Sequence, residues 1–493
     1  MNNVDLLYKE LLSTFPEERV SRDEAILTSY ATDESSLVGE GTIPALVVLP
    51  KTAEEVKSFL VAANRLKVPV VPMSRGSNLG GLALPHRGEA VVDLRLMNRI
   101  IEINTDAAYA IIEPGVTFHQ LGLEAKKRGF IIQLPTATGG GSPVANYLMH
   151  PSGNLGAKWD PDPILSLEVV TPSGDITRTG SAAFGTAGWR ARYGPFPDLT
   201  GLFVCSYGTL GIVTKMAVKL HDRGEEERLL VTRFDSFAPA VEYMKLIVRR
   251  NLADSVTFWS WVWNVLHQLM LSKTTVLPEM MMKEDQKTPP LGIPFGIATA
   301  RLSGYKEVVD VQQNTCIRLA RELGGEYMPT EEIKEVHPGT WAYCNSYFIE
   351  GIHPKPGEES TMRRESWLSG CLVNTEPKQV LEVEKVMWEF AKEHAKPPYM
   401  FRSLPFNHAR EFFFAFVILI HGSPDEEREY MQQLRDAYKS FYYDFLKKYG
   451  AVMFRFRQDP DFLALTGPYG AMLRKIKSVL DPNNIMHPGV NLF

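Results

Sequence analysis

The chain has 493 residues, which is too long for a single hydrophobic core, so we expect two or three domains. Its hydrophobic content of 44% and charged content of 23% are ordinary for a soluble globular enzyme. The net charge of −5 argues against nucleic acid as the main partner, because neutralising phosphates requires a basic face.

Neither a membrane segment nor a secretory signal is expected. The longest apolar run, 412–420, is far too short to span a bilayer, and the N-terminus lacks the basic and then apolar layout of a signal peptide. The four cysteines match no disulfide framework and no zinc or iron–sulfur spacing. We therefore expect a cytoplasmic protein without a metal site.

The first glycine loop follows a helix and a strand. Thr52 and Glu55 form a capping box that predicts the helix, and the apolar strand 69–73 runs into the loop 74–81. Glycine reaches positive φ and leaves room for close approach, so several N–H groups of such a loop can meet one anion. A phosphate-bearing cofactor is one interpretation, and a plain tight turn is the other.

A second glycine loop lies further along the chain. Strands are predicted at 91–94 and 110–113, then a helix capped by Thr117, then a strand at 131–134 that enters the loop 136–143. Ser142 is a natural N-cap with proline at the first helical position, where N–H groups favour an anion. Two such loops suit a pyrophosphate, and structural turns remain the alternative. No P-loop and no Rossmann motif occurs.

The pattern changes after about residue 225. Three units, 229–258, 295–327 and 412–456, each read as strand, amphipathic helix, strand. This predicts one antiparallel sheet backed by helices. An apolar segment, 259–277, and a proline-rich stretch, 278–294, interrupt the pattern.

Six motifs together resemble the vanillyl-alcohol oxidase / p-cresol methylhydroxylase superfamily of FAD-linked oxidoreductases, nearest its vanillyl-alcohol oxidase and 4-cresol dehydrogenase branch. The motifs are PALVVLPKTAEEV (44–56), PVVPMSRGSNLGG (69–81), AIIEPGVTFHQL (110–121), TGGGSPVANYL (138–148), GPFPDLTGLFVCSYGTLGIVTK (194–215) and DPNNIMHPG (481–489). The His-rich Gly-Asp-Gly motif of the D-lactate/glycolate dehydrogenase branch is absent from the sequence.

The resemblance implies an α+β fold with a PCMH-type FAD-binding domain in two pieces. Residues 1–222 and the C-terminal stretch 455–493 would form that domain, and residues 223–454 would form a cap with an antiparallel sheet backed by helices. It implies that the cofactor contacts Met73, Ser74, Arg75, Gly76, Ser77, Asn78, Leu79, Thr138, Gly139, Gly140, Ser142, Asn146, Gly211 and Ile212. Because the loop 74–80 lacks a histidine, we expect FAD to be bound non-covalently.

The resemblance is less complete for the substrate site. Relatives bind a phenolate with two tyrosines and an arginine, and place an aspartate near the flavin. Here Gly81 and Phe456 stand at the tyrosine positions and Ala137 at the aspartate position, whereas Arg457 is retained. Most donors that lower the pKa of a phenol are therefore missing.

Arg457 offers a planar charged fork for a substrate oxyanion, and a surface or phosphate-facing role is the alternative. Arg455 shares its strand face, and His408 is a candidate general base or an ordinary hydrogen-bonded histidine. A substrate pocket or an ordinary core is predicted from two further groups of residues. They are Tyr399, Arg402, His408 and Arg410 before the last cap strand, and Trp341, Tyr343 and Tyr347 on one strand face.

We therefore expect an FAD-dependent oxidoreductase that takes a hydride from a benzylic or alcohol carbon of a small, aromatic substrate. Oxygen, a cytochrome or a quinone-linked partner would accept the electrons, and the protein would form a homodimer or higher oligomer. One alternative is a 2-hydroxy-acid dehydrogenase acting on D-lactate or glycolate. Another is an electron-transfer flavoprotein subunit that uses the apolar segment 259–277 as a partner surface.

Overall fold

The computed structural model describes residues 2–33, 41–77, 80–134, 139–149, 162–272, 277–350, 367–419, 424–449, 452–453, 463 and 466–490. We refer to 2–222 as the N-terminal part, 223–453 as the central part and 466–490 as the C-terminal segment. Among the helices within these ranges, none combines the length and apolar character needed to cross a lipid bilayer.

The N-terminal part contains two larger sheets, one two-stranded sheet and several short helices. Its strands are β1 (Val20–Ser21), β2 (Leu46–Val48), β3 (Val70–Met73), β4 (Ala90–Asp93), β5 (Ile100–Asn104), β6 (Tyr109–Ile112), β7 (Phe130–Ile131), β8 (Ile164–Val170), β9 (Ile176–Arg178), β10 (Ile212–Lys219) and β11 (His221–Asp222). Its α-helices are α1 (Asn3–Thr14), α2 (Glu24–Thr28), α3 (Ala53–Arg65), α4 (Phe118–Lys126), α5 (Pro143–Leu148) and α6 (Thr200–Phe203).

The two sheets differ in direction. The first has the order β1-β2-β4-β3, with β2 and β3 parallel to β4. The second, in the order β5-β6-β10-β8-β9, is antiparallel throughout. Every residue of β4 and of β8 is buried, as expected for strands covered on both faces.

The central part is built on one eight-stranded antiparallel sheet in the order β15-β12-β14-β13-β17-β18-β16-β19. Its strands are β12 (Glu226–Phe234), β13 (Ser255–Ser260), β14 (Gly296–Gly304), β15 (Glu326–Met328), β16 (Trp367–Thr375), β17 (Tyr399–Phe406), β18 (Glu411–Leu419) and β19 (Val452–Met453). Its α-helices are α7 (Phe237–Arg249), α8 (Trp261–Ser272), α9 (Lys306–Glu322), α10 (Thr330–Val336), α11 (Pro338–Cys344), α12 (Val380–His394) and α13 (Pro424–Tyr449), and a π-helical turn spans Asn345–Glu350. The predicted α+β class and antiparallel cap sheet are confirmed.

The two faces of this sheet pack against different partners. Phe401 and its neighbours on one face form a hydrophobic cluster with α7, α9, α12 and α13. Met400, one residue away and therefore on the other face, belongs to a cluster shared with Leu134, Val144 and Tyr147 of the N-terminal part. The second face therefore forms the contact between the two parts.

Local capping explains several helix starts. Ser142 Oγ accepts from the Ala145 N–H at 3.3 Å, and Thr117 with Gln120 forms a complete capping box. The box predicted at Thr52 is only half correct, because Glu55 accepts from Lys51 N–H at 2.7 Å instead of from Thr52. The salt bridge from Arg19, at 2.6 Å, also holds the Glu55 carboxylate away from the helix cap.

Two expectations for the central part are wrong. The apolar segment 259–277 is mostly buried in its described part, 259–272, because it enters the buried end of β13 and the helix α8, whose Trp261, Val262 and Leu266 are at most 1% exposed. This removes the partner surface on which the electron-transfer alternative depended. Trp341 and Tyr343 lie in α11 and Tyr347 in the π-helical turn, not on one strand face.

The C-terminal segment packs against the N-terminal part through its helix α14 (Pro468–Leu480) and the residues after it. Val70 of β3 donates to Ile485 O at 2.7 Å, and the His487 N–H donates to Val70 O at 2.8 Å. Lys477 Nζ donates to Thr209 O at 2.7 Å. These bonds agree with the predicted two-piece domain, whose boundaries remain a prediction.

Candidate active site

The first glycine loop leaves β3 at the carboxyl end of the parallel strands. Met73 is buried at the end of β3, Ser74 is half-buried, and residues 75–77 are exposed. Gly76 has φ +69° and Gly81 has φ +68°, a region where other residues are strained. The Gly81 N–H donates to Asp33 Oδ2 at 2.8 Å. An exposed loop with this conformation suits an anion, and its predicted members Asn78 and Leu79 lie outside the described residues.

Asp93 is a buried residue beside the end of β3, where the first glycine loop begins. It is 0% exposed and pairs with Met73 in the parallel register. Its carboxylate accepts from Tyr30 OH at 2.8 Å and from Arg95 Nε at 2.6 Å. Burial raises the pKa of Asp93, and the hydrogen bonds from Arg95 and Tyr30 oppose that rise. The contacts identify Asp93 as part of the scaffold under the loop.

The second glycine loop is held by its carbonyl groups. The Phe118 N–H donates to Gly141 O at 3.0 Å and the His119 N–H to Gly139 O at 2.9 Å, so these carbonyls face the start of α4. Ser142 Oγ donates to Pro114 O at 2.6 Å. The predicted residues Gly139 and Ser142 therefore lie together, with Asn146 buried one turn along α5. Thr138 and Ala137 lie outside the described residues.

The turn at Pro114 and Gly115 packs between the second loop and the stretch that follows β4. The Gly115 N–H donates to Met97 O at 2.7 Å, in the stretch that follows β4 beside β3. A Cβ at Gly115 would lie 2.5 Å from Arg95 O, so only glycine allows this approach. Pro114 O in turn accepts from Ser142. The turn thus contacts the second loop directly, and it contacts the stretch after β4, the strand that pairs with β3 ahead of the first loop.

A third stretch, 205–211, packs on β3. Gly208 has φ +75°, and a Cβ there would lie 2.4 Å from Pro72 Cγ. Gly211 has φ +154° and lies close to Val170 O. Ile212 is 1% exposed in a cluster that includes Val170 and Ile485, so its side chain is a core residue.

A group of aromatic residues fills the contact between the central part and the second loop. Tyr347 OH donates to Leu134 O at 2.8 Å, and Tyr147 OH donates to Gln133 O at 2.5 Å, just before that loop. Burial raises the pKa of Tyr347 well above its usual range, so this phenol stays protonated and donates. The His267 ring stacks on Tyr343 with centroids 4.2 Å apart.

Arg402 lies among these rings. Its guanidinium carbon is 5.7 Å from the ring centroids of Trp259 and Trp263 and 5.8 Å from that of Phe413. His267 packs edge-on to Trp259 at 4.9 Å. Of these, Arg402 and Tyr343 were sequence candidates, whereas Trp259, Trp263 and His267 were not. These three residues recur at every fourth position of the sequence, and this spacing was the sequence signal that could have identified them.

The predicted catalytic residues are not gathered at this site in the described structure. Arg455 and Arg457, with Phe456, lie outside the described residues. His408 lies in the tight turn between β17 and β18 with φ +60°. The next residue, Ala409, accepts from Arg249 of α7 and belongs to the cluster on the sheet face away from the glycine loops. Arg410 is exposed in the same turn and bonds Asn407.

Among the described residues, no group of three or more His, Cys, Asp and Glu side chains is arranged to hold a metal ion. The groups that the loops offer to a ligand are instead backbone groups and glycines. Residues 44–180, which include both glycine loops, match the family described as FAD binding domain.

Comparison with whole proteins extends this match. The flavoprotein subunit of 4-cresol dehydrogenase [hydroxylating] from Pseudomonas putida is 26% identical over 477 residues, covering 90% of this chain and 87% of that protein. The structure is similar to that of p-cresol methylhydroxylase with substrate bound, with a TM-score of 0.83, 22% identity and coverage of 99% and 96% of the two chains.

These matches confirm the predicted resemblance to the vanillyl-alcohol oxidase / p-cresol methylhydroxylase superfamily, and the family match shows an FAD binding domain in this chain. The predicted family, fold class and cofactor are thereby confirmed. A mitochondrial D-lactate dehydrogenase [cytochrome] from Arabidopsis thaliana is 30% identical over 242 residues, which is 48% of this chain and 41% of that protein. The alignment with this relative thus spans less than half of its length.

The two glycine loops fit FAD. Residues 75–77 are exposed and Gly76 has a positive φ, so the first loop can present backbone N–H groups to an anion, and Gly208 packs closely on Pro72 of the strand before it. These residues, with Gly139, Gly140 and Ser142, are the ones that we expect to hold the cofactor.

Proposed function

We propose that this protein is an FAD-dependent oxidoreductase that takes a hydride from a benzylic or alcohol carbon of a small aromatic substrate. The observation that carries the proposal is the aromatic group Trp259, Trp263, His267 and Tyr343 beside the second glycine loop. Ring faces and edges of this kind suit an aromatic guest. When bound, FAD supplies the two-electron acceptor, and an external acceptor then removes the electrons.

The roles of the chain's own residues follow from their positions. The aromatic rings would orient the substrate ring and exclude water, and Tyr347 would fix the central part against the second loop through Leu134. Arg457 would orient a substrate oxyanion, as the family resemblance implies. FAD would be bound non-covalently, since the loop 74–80 has no histidine.

Anaerobic photometric titration of the purified holoenzyme tests the function. Flavin bleaching by benzylic alcohols or 4-alkylphenols, and not by D-lactate or glycolate, supports it. If Arg457→Ala bleaches as fast as the wild type with the same substrate, Arg457 has no part in the site. Release of the flavin by acid precipitation tests the non-covalent attachment.

A second candidate is oxidation of a 2-hydroxy acid. The 30% identity with a D-lactate dehydrogenase over 242 residues favours it. It predicts bleaching by D-lactate or glycolate and none by 4-alkylphenols, so the same titration separates the two.

A further inference from the structure

Arg402 occupies an unusual position for a charged side chain. It lies on β17, a central strand of the eight-stranded sheet, opposite Trp259 on β13 and Ala415 on β18. Because side chains alternate along a strand, Arg402 shares its face with Met400, which packs against the N-terminal part. Its charge therefore lies on the sheet face that contacts the N-terminal part and not on the face covered by the helices α7 and α12.

The rings around Arg402 give its guanidinium a specific environment. Trp259 is 0% exposed and Trp263 is 5% exposed, and both ring centroids are 5.7 Å from the guanidinium carbon. Aromatic faces attract a guanidinium and replace part of its lost hydration. A planar guanidinium held by ring faces presents its N–H edge, and that edge matches a planar oxyanion.

The geometry of the guanidinium N–H groups favours one kind of substrate oxyanion over another. A carboxylate accepts two parallel N–H bonds from a guanidinium, whereas a phenolate has one oxygen to offer. His267 and Tyr343 stack on each other at 4.2 Å, and both rings pack on Trp259, the ring that lies against the Arg402 guanidinium. An aromatic ring that carries a carboxylate matches both features at once.

We propose that Arg402 is a specificity-determining residue that binds the carboxylate of an aromatic acid. This inference rests on the proposed function, of which it narrows the substrate class. Trp259 and Trp263 position the guanidinium by stacking, and the substrate ring packs beside them. The carboxylate lies on the central part, so it anchors the substrate from the side opposite the glycine loops.

The test measures binding to the FAD-loaded protein. Benzoate and benzyl alcohol form a matched charged and neutral pair, and their dissociation constants are read from the flavin absorbance and from the rise in melting temperature. Arg402→Met is expected to weaken benzoate about 100-fold and Arg402→Lys about 10-fold, because a lysine keeps the charge but loses the fork. Benzyl alcohol should change by less than about threefold.

Arg410→Met is the matched control, since Arg410 is exposed in the turn of the same hairpin and contacts Asn407. It should leave benzoate binding unchanged. If Arg402→Met does not retain FAD, the Arg402→Lys variant is used for the test. Benzoate binding equal to that of the wild type then contradicts the proposal, and a tenfold weaker binding supports it.

Three results overturn the inference. They are no benzoate binding to the wild type, an equal loss for benzoate and benzyl alcohol in Arg402→Met, and a loss confined to 4-cresol, which would indicate a phenolate. Failure of the proposed function is distinct. In that case no compound bleaches the flavin, although benzoate binding still depends on Arg402.

Discussion

Tyr347 of the central part donates a hydrogen bond of 2.8 Å to the carbonyl oxygen of Leu134, which immediately precedes the second glycine loop. Tyr347 is 1% exposed, and Arg402 and Tyr343 are close enough to influence its pKa. A single side chain thus connects the aromatic group beside the sheet to the backbone that leads into the cofactor loop.

Tyr347→Phe should weaken this connection. The buried Leu134 carbonyl loses one donor, which costs about 1 to 2 kcal/mol of unfolding free energy. We expect weaker FAD retention, measured by flavin fluorescence after dilution, together with a lower urea midpoint. Tyr305→Phe, at a 72% exposed position, is the control and should behave as the wild type. Equal FAD affinity in both variants would contradict a positioning role for Tyr347.

Gly208→Ala should displace the end of β3, the strand that leads into the first glycine loop. A methyl group at φ +75° is strained, and it would also lie 2.4 Å from Pro72 Cγ next to the end of β3. The combined cost should be about 3 kcal/mol, with reduced FAD content in the purified protein. Gly88→Ala has a similar φ of +71° and nothing within 4 Å, so strain alone should cost it about 1 kcal/mol. Equal urea midpoints for the two variants would show that the contact with Pro72 is harmless.

Lys477→Met should detach the C-terminal segment. Lys477 is 4% exposed and donates to Asp481 Oδ2 at 2.6 Å as well as to the carbonyls of Thr209 and Met486. Its loss leaves the buried Asp481 charge without this cation, at a cost of about 3 to 5 kcal/mol.

The double variant Lys477→Met, Asp481→Asn should cost less than the sum of the two single changes, because it removes both charges. Urea unfolding gives the three free energies, and limited proteolysis reports exposure of the segment 466–490. Strictly additive costs would mean that the two charges do not interact.

His221 should make stability depend on pH. Burial, with Lys219 nearby, lowers the pKa of His221 in the folded state to about 4 from the ordinary 6.5. The unfolded chain therefore binds a proton between pH 6.5 and 4 that the folded chain does not, so this stability is present above pH 6.5 and is lost as the pH falls.

Between pH 7.5 and 5, the wild type should lose about 2 kcal/mol more unfolding free energy than His221→Gln, measured by urea unfolding at both values. Above pH 7 the unfolding free energies of the two proteins should change with pH in nearly the same way, because His221 is then neutral in both the folded and the unfolded chain. Parallel losses in wild type and variant would exclude His221 as the source.

Much of the architecture was predictable because it is encoded locally. The caps at Thr117 and Ser142 and the glycines at 76 and 81 depend on neighbours within a few residues, and the structure places them as expected. The three strand–helix–strand units were also predictable from apolar periodicity. The strands β16 and β17 and the helix α12 between them were missed.

The errors share one cause. An apolar run such as 259–277 is equally consistent with a surface for a partner and with a buried helix, because periodicity does not reveal what covers it. Tyr343 and Tyr347 were assigned to a strand, although a helix and a π-helical turn bring them to His267 and Leu134. Their contacts join residues far apart in the chain, which no local pattern records.

Residue types and their spacing were sufficient for the superfamily and FAD, since a cofactor held by backbone groups requires glycines and small residues at set positions. The candidate substrate site had to be read from the folded chain. Arg402 meets Trp259 and Trp263 only because β17 pairs with β13, and this pairing joins residues about 140 positions apart through a register that long-range packing selects.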